Sequence, residues 1–232
     1  MPEITVIITA YKDRGWIDEA IDSARFQTFE DYDIILCSDG NEEIRRYADK
    51  YNIPFLLYPK SNYATLVNNA VKEAKGKWIK VLHDDDILTE NCLSDLYGCR
   101  ANADLVYANA FIFRDNDMTN PYLYEPPANI TLRSLFPIIS NPVNFEAEIF
   151  RRDVFLGIGG FDANLGYAED YDLLLNLLSH GYKLAYCDSA VVWYRQHDRQ
   201  ITGNEPEMRQ REQDYLISKY MGFIVERIRW DS

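Results

Sequence analysis

The segment Lys80 to Leu88, KVLHDDDIL, sets three consecutive aspartates, Asp84, Asp85 and Asp86, directly behind an apolar run. Two carboxylates about 4 Å apart repel by about 4 kcal/mol at a surface-like dielectric of about 20. A folded chain must offset that cost. A hard divalent cation, Mg2+ or Mn2+, would do so. So would a helix start, where Asp86 or Thr89 ahead of ENCLSDLYGC would cap free backbone amides. A cap needs one acid, and the chain offers three. A second acidic pair, Glu169-Asp170, stands before YDLLLNLLSHG and can also be read as a helix cap. Of the three histidines, His83 adjoins the triplet and His197 sits among charges in RQHDRQ. His180, before Gly181, reads as a cation at a helix C-terminus.

The elements that must carry these residues are legible from hydropathy. Ile4 to Thr9 is a β-branched strand, and Trp16 to Phe26 has helical spacing. Asp33 to Cys37 is a second strand that runs into Ser38-Asp39-Gly40, followed by a polar helix from Asn41 to Tyr51. Ile53 to Tyr58 and Trp78 to Leu82 are further strands, with a helix over 63–75 between them that Gly76 closes. Apolar strands alternating with helices predict a mostly parallel, Rossmann-like α/β sheet covered on both faces. Ligands of such sheets bind beyond the strands' carboxyl ends. That edge gathers Tyr11, Asp13, Asp39 and the acidic triplet. Beyond Asp104 the rhythm loosens: a strand near 105–113, a long Pro- and Asn-rich loop over 115–131, then 145–150, a helix over 171–180 and a strand over 184–194. The tail, 207–230, is helical, with Tyr215, Leu216, Tyr220, Phe223, Ile224 and Ile228 on its apolar face and Arg227 and Arg229 near its end. It is expected to dock on the domain, a membrane surface being the alternative.

The chain has 232 residues, 47% of them hydrophobic, and a formal net charge of -13. This suffices for a sizeable core. With no cluster of Lys and Arg, nucleic acid is not an expected partner. No secretory leader and no membrane span are expected. Cys37, Cys92, Cys99 and Cys187 form no CxxC pair, and Cys92 and Cys99 would lie about 10 Å apart on a helix, too far for a disulfide. Reduced thiols in a cytoplasmic protein are the expectation. TAYKDRG lacks the GxGxxG phosphate loop and no GxxxxGK[ST] occurs. A cation held by few carboxylates shares its coordination with substrate phosphates, and a nucleotide diphosphate fits that requirement.

Four ordered segments resemble family 2 glycosyltransferases of the GT-A fold. They are VIITAYKDRGWIDEAIDSARFQTFEDYDIILCSDG, NNAVKEAKGKWIKVLHDDDIL, FRRDVFLGIGGFDANLGYAEDYDLLLNLLSHGYKL and WYRQHDRQIT. The resemblance implies one GT-A domain over 1–204, with a nucleotide-sugar-binding half (1–103) and an acceptor and catalytic half (104–204), plus a helical extension over 205–232. It implies that Thr9, Ala10 and Tyr11 hold the base and that Asp39 contacts base or ribose. Asp84, Asp85 and Asp86 fall on the metal-binding DxD region, with His197 beside metal or diphosphate. Asp13, Asn68 and His83 count with the donor-side residues. Glu169-Asp170 matches the ED motif, making Asp170 the general base of an inverting transfer, with Glu169 beside it and Asp172 as the alternative. Two positions depart from the family pattern: His83 stands where Asp is common, and Val67 replaces a common arginine. The implied reaction moves a sugar from a nucleotide-diphospho-sugar, UDP-sugar by preference, to a glycan or lipid-linked acceptor, Mn2+ or Mg2+ assisting, at the inner face of a membrane in polysaccharide biosynthesis. A non-catalytic nucleotide-sugar-binding domain is the competing reading.

Overall fold

The computed structural model describes residues 1–135, 140–198, 200 and 206–230, the side chains of 224 and 226–230 excepted. Four parallel strands form the first half of one sheet: β1 (Ile4–Thr9), β2 (Tyr32–Asp39), β3 (Phe55–Tyr58) and β4 (Trp78–His83), in the order β3-β2-β1-β4. Ile4 pairs with Tyr32 and Trp78, and Thr9 with Cys37 and His83. The strands therefore end level, and their carboxyl ends deliver Ala10-Tyr11, Asp39 and Asp84 to a common edge.

β1 is buried on both faces, as an interior parallel strand must be. Ile4, Val6 and Ile8 pack on one face with α1 (Ile17–Arg25), α2 (Arg45–Tyr51) and α4 (Cys92–Gly98). Ile7 packs on the other with α3 (Tyr63–Glu73), α5 (Arg152–Gly157), α6 (Glu169–Ser179) and α7 (Pro206–Trp230). Each fully buried aliphatic side chain contributes about 1.5–3 kcal/mol, so this alternation fixes which helices cover which face.

The second half of the sheet is mixed. β8 (Glu148–Arg151) runs antiparallel to β4 and to β6 (Leu105–Arg114), and β6 runs parallel to β9 (Leu184–Gln196). β9 pairs antiparallel with β5 (Ile87–Leu88). The expected loop over 115–131 is in large part β7 (Asp117–Tyr124), the antiparallel return of a hairpin on β6. It is exposed along most of its length, so no apolar alternation marked it.

Other expectations are corrected in detail. The segment 145–150 opens as a 3-10 turn, Phe145–Ala147, before β8, and the polar helix begins as another, Glu42–Ile44. Gly76 does not cap α3, whose last turn is followed by Ala74 in extended conformation. It is glycine because a Cβ there would lie 2.3 Å from the Thr5 amide nitrogen. Cys92 and Cys99 do not pair, but Cys99 Sγ lies 2.7 Å from Cys187 Sγ, and all four cysteines are free thiols. α7 docks as expected, burying Leu216 and Tyr220. The 204/205 boundary and the Ile224, Arg227, Ile228 and Arg229 side chains lie outside the described residues. Among the described residues no helix is long and apolar enough to cross a membrane.

Candidate active site

The acidic turn leaves β4 and sends its three carboxylates to three different partners. None of them caps α4, whose N-cap is Asn91 and receives no side-chain cap bond. Asp84 is 5% exposed and accepts from Arg14 at 3.2 Å. Burial and the neighbouring Asp85 charge push its carboxyl up to about 7 against the pull of Arg14. Asp85 Oδ2 is 2.9 Å from His197 Nε2. Asp86 is 1% exposed, and its Oδ1 accepts the Arg195 amide at 2.7 Å.

Arg195 organises this turn. It is 1% exposed on β9 and stacks between Trp16, 4.7 Å away, and Phe113, 4.6 Å away. Its guanidinium donates to the Asp85 carbonyl (2.7 Å), the Asp115 carbonyl, Asn116 Oδ1 (2.7 Å) and Glu19 (2.5 Å). Trp16 also packs on the His197 ring at 4.9 Å. In sequence Arg195 stands unremarked in WYRQH, because the groups its guanidinium bonds are 79 to 176 residues away.

On the other side of the turn, one ligand atom each of His83, Asp86 and Glu146 lies within 4.8 Å of the other two, with His83 Nδ1 4.0 Å from Asp86 Oδ2. Glu146 is 1% exposed, and its Oε2 accepts the His83 amide at 3.1 Å. Its Oε1 is 3.0 Å from His83 Nδ1, yet neither it nor Asp86 Oδ2 has a partner in hydrogen-bond geometry. Burial opposes the His83 charge, but Glu146, Asp85 and Asp86 override it and raise the ring to about 10. Burial first, then Glu146 and Asp85, hold the Asp86 carboxyl well above its ordinary range. Asp86 Oδ2, Glu146 Oε1 and the His83 ring that Oε1 pairs with would, once the ring gives up its proton, be a donor set that Mn2+ or Mg2+ accepts. Asp85 with His197 is another. The completely buried Lys80 fixes this floor, donating Nζ to the Glu146 carbonyl at 2.6 Å. Glu146 reads in sequence as an ordinary residue before a strand.

A cavity of about 450 Å³ opens here, lined by His83, Glu146, Glu169 and Asp170 among others. Tyr122, Tyr124, Tyr167 and Tyr194 also line it. α6 delivers the acidic pair from its first turn, capped by no side chain. Asn141 donates to Asp170 Oδ2 at 3.0 Å, and the Tyr171 amide to Oδ1 at 2.6 Å. Burial raises the Asp170 carboxyl despite these bonds. Glu169 Oε2 is buried without a partner. Burial, then the charges of Asp170 and Glu212, push Glu169 up to about 7. Asp172, the alternative to Asp170, is 1% exposed and bound by Lys219 at 2.8 Å and Tyr220 OH at 2.7 Å. It faces α7 instead of the cavity.

Of the donor-side expectations, Thr9 and Ala10 are buried at the end of β1, and Tyr11 is 46% exposed with Lys60 Nζ 5.6 Å from its ring centre. Asp39 is 6% exposed and accepts the Ser61 amide at 2.9 Å. Asp13 is a loop fastener, accepting from Gly15 N (2.8 Å), Tyr47 OH (2.7 Å) and Arg46 (2.5 Å). Asn68, on α3, is tied to Phe161. Its Oδ1 accepts the Phe161 amide and its Nδ2 donates to the Phe161 carbonyl, both at 2.8 Å. Val67 is a completely buried core residue.

The family model described as "Glycosyl transferase family 2" matches residues 5–157. The chain is 24% identical over 223 residues to the Escherichia coli protein "UDP-Glc:alpha-D-GlcNAc-diphosphoundecaprenol beta-1,3-glucosyltransferase WfaP", covering 94% of this chain and 87% of that one. It is 27% identical over 214 residues to an uncharacterized glycosyltransferase of Rickettsia typhi, over 87% of this chain and 66% of that one. The chain spans about half to two thirds of the length of that relative and of its Rickettsia prowazekii counterpart. Among solved structures, Staphylococcus aureus TarS superposes with a TM-score of 0.71 at 17% identity, over 94% of this chain and 39% of that one. "Mannosyltransferase PcManGT from Pyrobaculum calidifontis in complex with GDP-Man and Mn2+" superposes at 0.66 and 14%, over 95% and 64%. With the GT-A sheet, the acidic turn at its carboxyl edge and the matched family model in agreement, the chain belongs to glycosyl transferase family 2.

Proposed function

We propose that the chain catalyses inverting transfer of a sugar from a nucleotide-diphospho-sugar, a UDP-sugar by preference, to a hydroxyl of a glycan or lipid-linked sugar. The observation that carries this reading is the cavity lined in common by His83 and Glu146, which adjoin the acidic turn, and by the Glu169-Asp170 pair. It puts an anionic group able to face a cation-bridged diphosphate in the same cavity as a carboxylate held by Asn141. The ligands and acceptors of the relatives are of this kind: UDP-GlcNAc for TarS, GDP-Man and Mn2+ for the mannosyltransferase, a diphosphoundecaprenol-linked sugar for WfaP. A lipid-linked acceptor would bring the protein to a membrane's inner face.

The donor half, 1–103, would bind the nucleotide over Thr9–Tyr11 and Asp39, and the half 104–204 would receive the acceptor. Residues able to hold a divalent cation are Asp85 with His197, and His83 with Asp86 and Glu146. Once bound, the cation would stabilise charge on the leaving diphosphate as a Lewis acid. Asp170 Oδ2 accepts one bond from Asn141 and retains a lone pair for the acceptor hydroxyl. As the hydroxyl oxygen bonds to the anomeric carbon, its proton passes to Asp170. The bond from that carbon to the diphosphate oxygen breaks on the opposite face, its electron pair leaving with the nucleotide diphosphate. Burial raises Asp170 and so strengthens it as a base, a contribution on the order of 10² to 10⁴ in rate.

Asp170→Asn tests the reading. Thermal-shift titration with UDP-sugars and Mn2+ identifies the donor, and transfer is followed by release of UDP. The variant should bind donor as the wild type does and lose at least 10²-fold in transfer. Retained transfer removes Asp170 from the mechanism. Donor binding without turnover in the wild type, across donors and acceptors, leaves the binding-domain reading instead.

A further inference from the structure

The C-terminal helix α7 does more than cover apolar surface. Glu212 on it is 3% exposed, and its carboxylate accepts three backbone amides of a single turn. Gly166 N donates to Oε1, and Tyr167 N and Ala168 N to Oε2, each at 3.0 Å. The next two residues are Glu169 and Asp170. A carboxylate loses several kcal/mol of hydration on burial, and three charge-assisted amide bonds from one strand of chain are what offsets it here. The three amides precede the first turn of α6, so the anion also sits at that helix's positive end. No side chain of the turn itself performs this task, since α6 has no side-chain cap.

Resting on the reading of Asp170 as base, we infer that Glu212 is a positioning residue, and that α7 thereby completes the active site. Side-chain rotamers on a helix start are only as well placed as the helix start itself. Asp170 is tied by Asn141 on one oxygen and by the Tyr171 amide on the other, so the backbone of 166–168 sets its height against the acidic turn. The same helix lines the cavity with Arg209, Gln213 and Leu216. The donor-side elements β1 and β2 and the acidic turn make no hydrogen bond to Glu212. A loss at Glu212 therefore reaches chemistry and acceptor, and leaves donor affinity alone. Lys219 and Tyr215, which bind Asp172 and Asp162, fasten α7 at a second place that does not touch 166–168.

Glu212→Gln preserves shape but presents one NH2 group to backbone donors, and Glu212→Ala removes all three bonds. Both variants, with Lys219→Met as control for a loosened helix, are compared with the wild type at a temperature well below each melting point. The expected result is a fall of about 10²-fold in kcat for both Glu212 variants, the cost of an ångström-scale misplacement, with the donor KM and the donor dissociation constant within twofold of wild type. Lys219→Met should lower Tm and leave kcat within twofold. The inference is overturned if kcat falls less than threefold in Glu212→Gln and Glu212→Ala. It is equally overturned if Lys219→Met loses activity in parallel with its Tm, or if donor binding weakens along with kcat. Asp170→Asn separates the two levels: an inactive Asp170→Asn beside an active Glu212→Ala refutes the positioning alone, and an active Asp170→Asn refutes the reading beneath it.

Discussion

Arg195→Met would test how far the acidic turn depends on a single buried cation. The substitution orphans the carbonyls of Asp85 and Asp115, each at about 1–3 kcal/mol. It also removes stacking on Trp16 and Phe113, about 0.5–1 kcal/mol each when exposed and more when desolvated. Glu19 is 52% exposed and returns to water at little cost. The guanidinium's own desolvation is recovered, and Met refills much of the volume, so the net loss is about 3–4 kcal/mol. For a chain of this size each kcal/mol lowers Tm by about 2–4 °C, giving a drop of about 6–16 °C by calorimetry. Because the Asp85 carbonyl and the Asp86 carboxylate are held by Arg195 side chain and backbone respectively, the turn should also loosen. Isothermal titration of UDP with Mn2+ should show at least tenfold weaker affinity. A variant melting within 3 °C of wild type, with unchanged nucleotide affinity, would refute the assignment of Arg195 as the organiser of the turn.

Further outcomes follow from other residues. Glu169 has a carboxyl raised from 4.5 to about 7, so the folded state binds its proton more tightly than the unfolded chain does. Its contribution is thus fully present below pH 4.5 and is lost as pH rises towards 7; Glu169→Gln should flatten the fall of Tm over that window, and an unchanged slope would contradict the burial argument. Gly160→Ala should destabilise by about 2–3 kcal/mol, since φ is +73° and a Cβ would lie 2.4 Å from Asn68 Oδ1; a melting point within 2 °C of wild type would show that this tie yields. Mild oxidation should consume the Cys99 and Cys187 thiols together and spare buried Cys37 and Cys92, read by thiol titration after denaturation; independent loss of Cys99 alone would dispose of their pairing.

Much of the parallel half was written locally. The runs at Ile4, Asp33 and Trp78 carry strand length, β-branching and turn residues within a few positions, and the level ends of β1, β2 and β4 follow once the runs are paired. The acidic triplet and Glu169-Asp170 stood out by charge. What escaped was non-local. Glu146, Arg195 and Glu212 look like ordinary residues until chains 44 to 176 positions apart fold together. The β7 hairpin escaped because an exposed strand buries nothing that periodicity could reveal. Asn68 is non-local in the same way: α3 turns its amide to Phe161, 93 residues on.

β4 is where the all-parallel half of the sheet meets the mixed half, pairing parallel with β1 on one edge and antiparallel with β8 on the other. It is a hinge line between two construction styles. Left of it, register is fixed by repeating crossovers; right of it, by hairpins and long returns. The β6–β7 tip is tied back across the sheet, since Asp115 and Asn116 hold Arg195 and Asn116 also accepts from Trp16, so in descendants of such a chain variation falls more freely on the exposed length of β7 than on its tip.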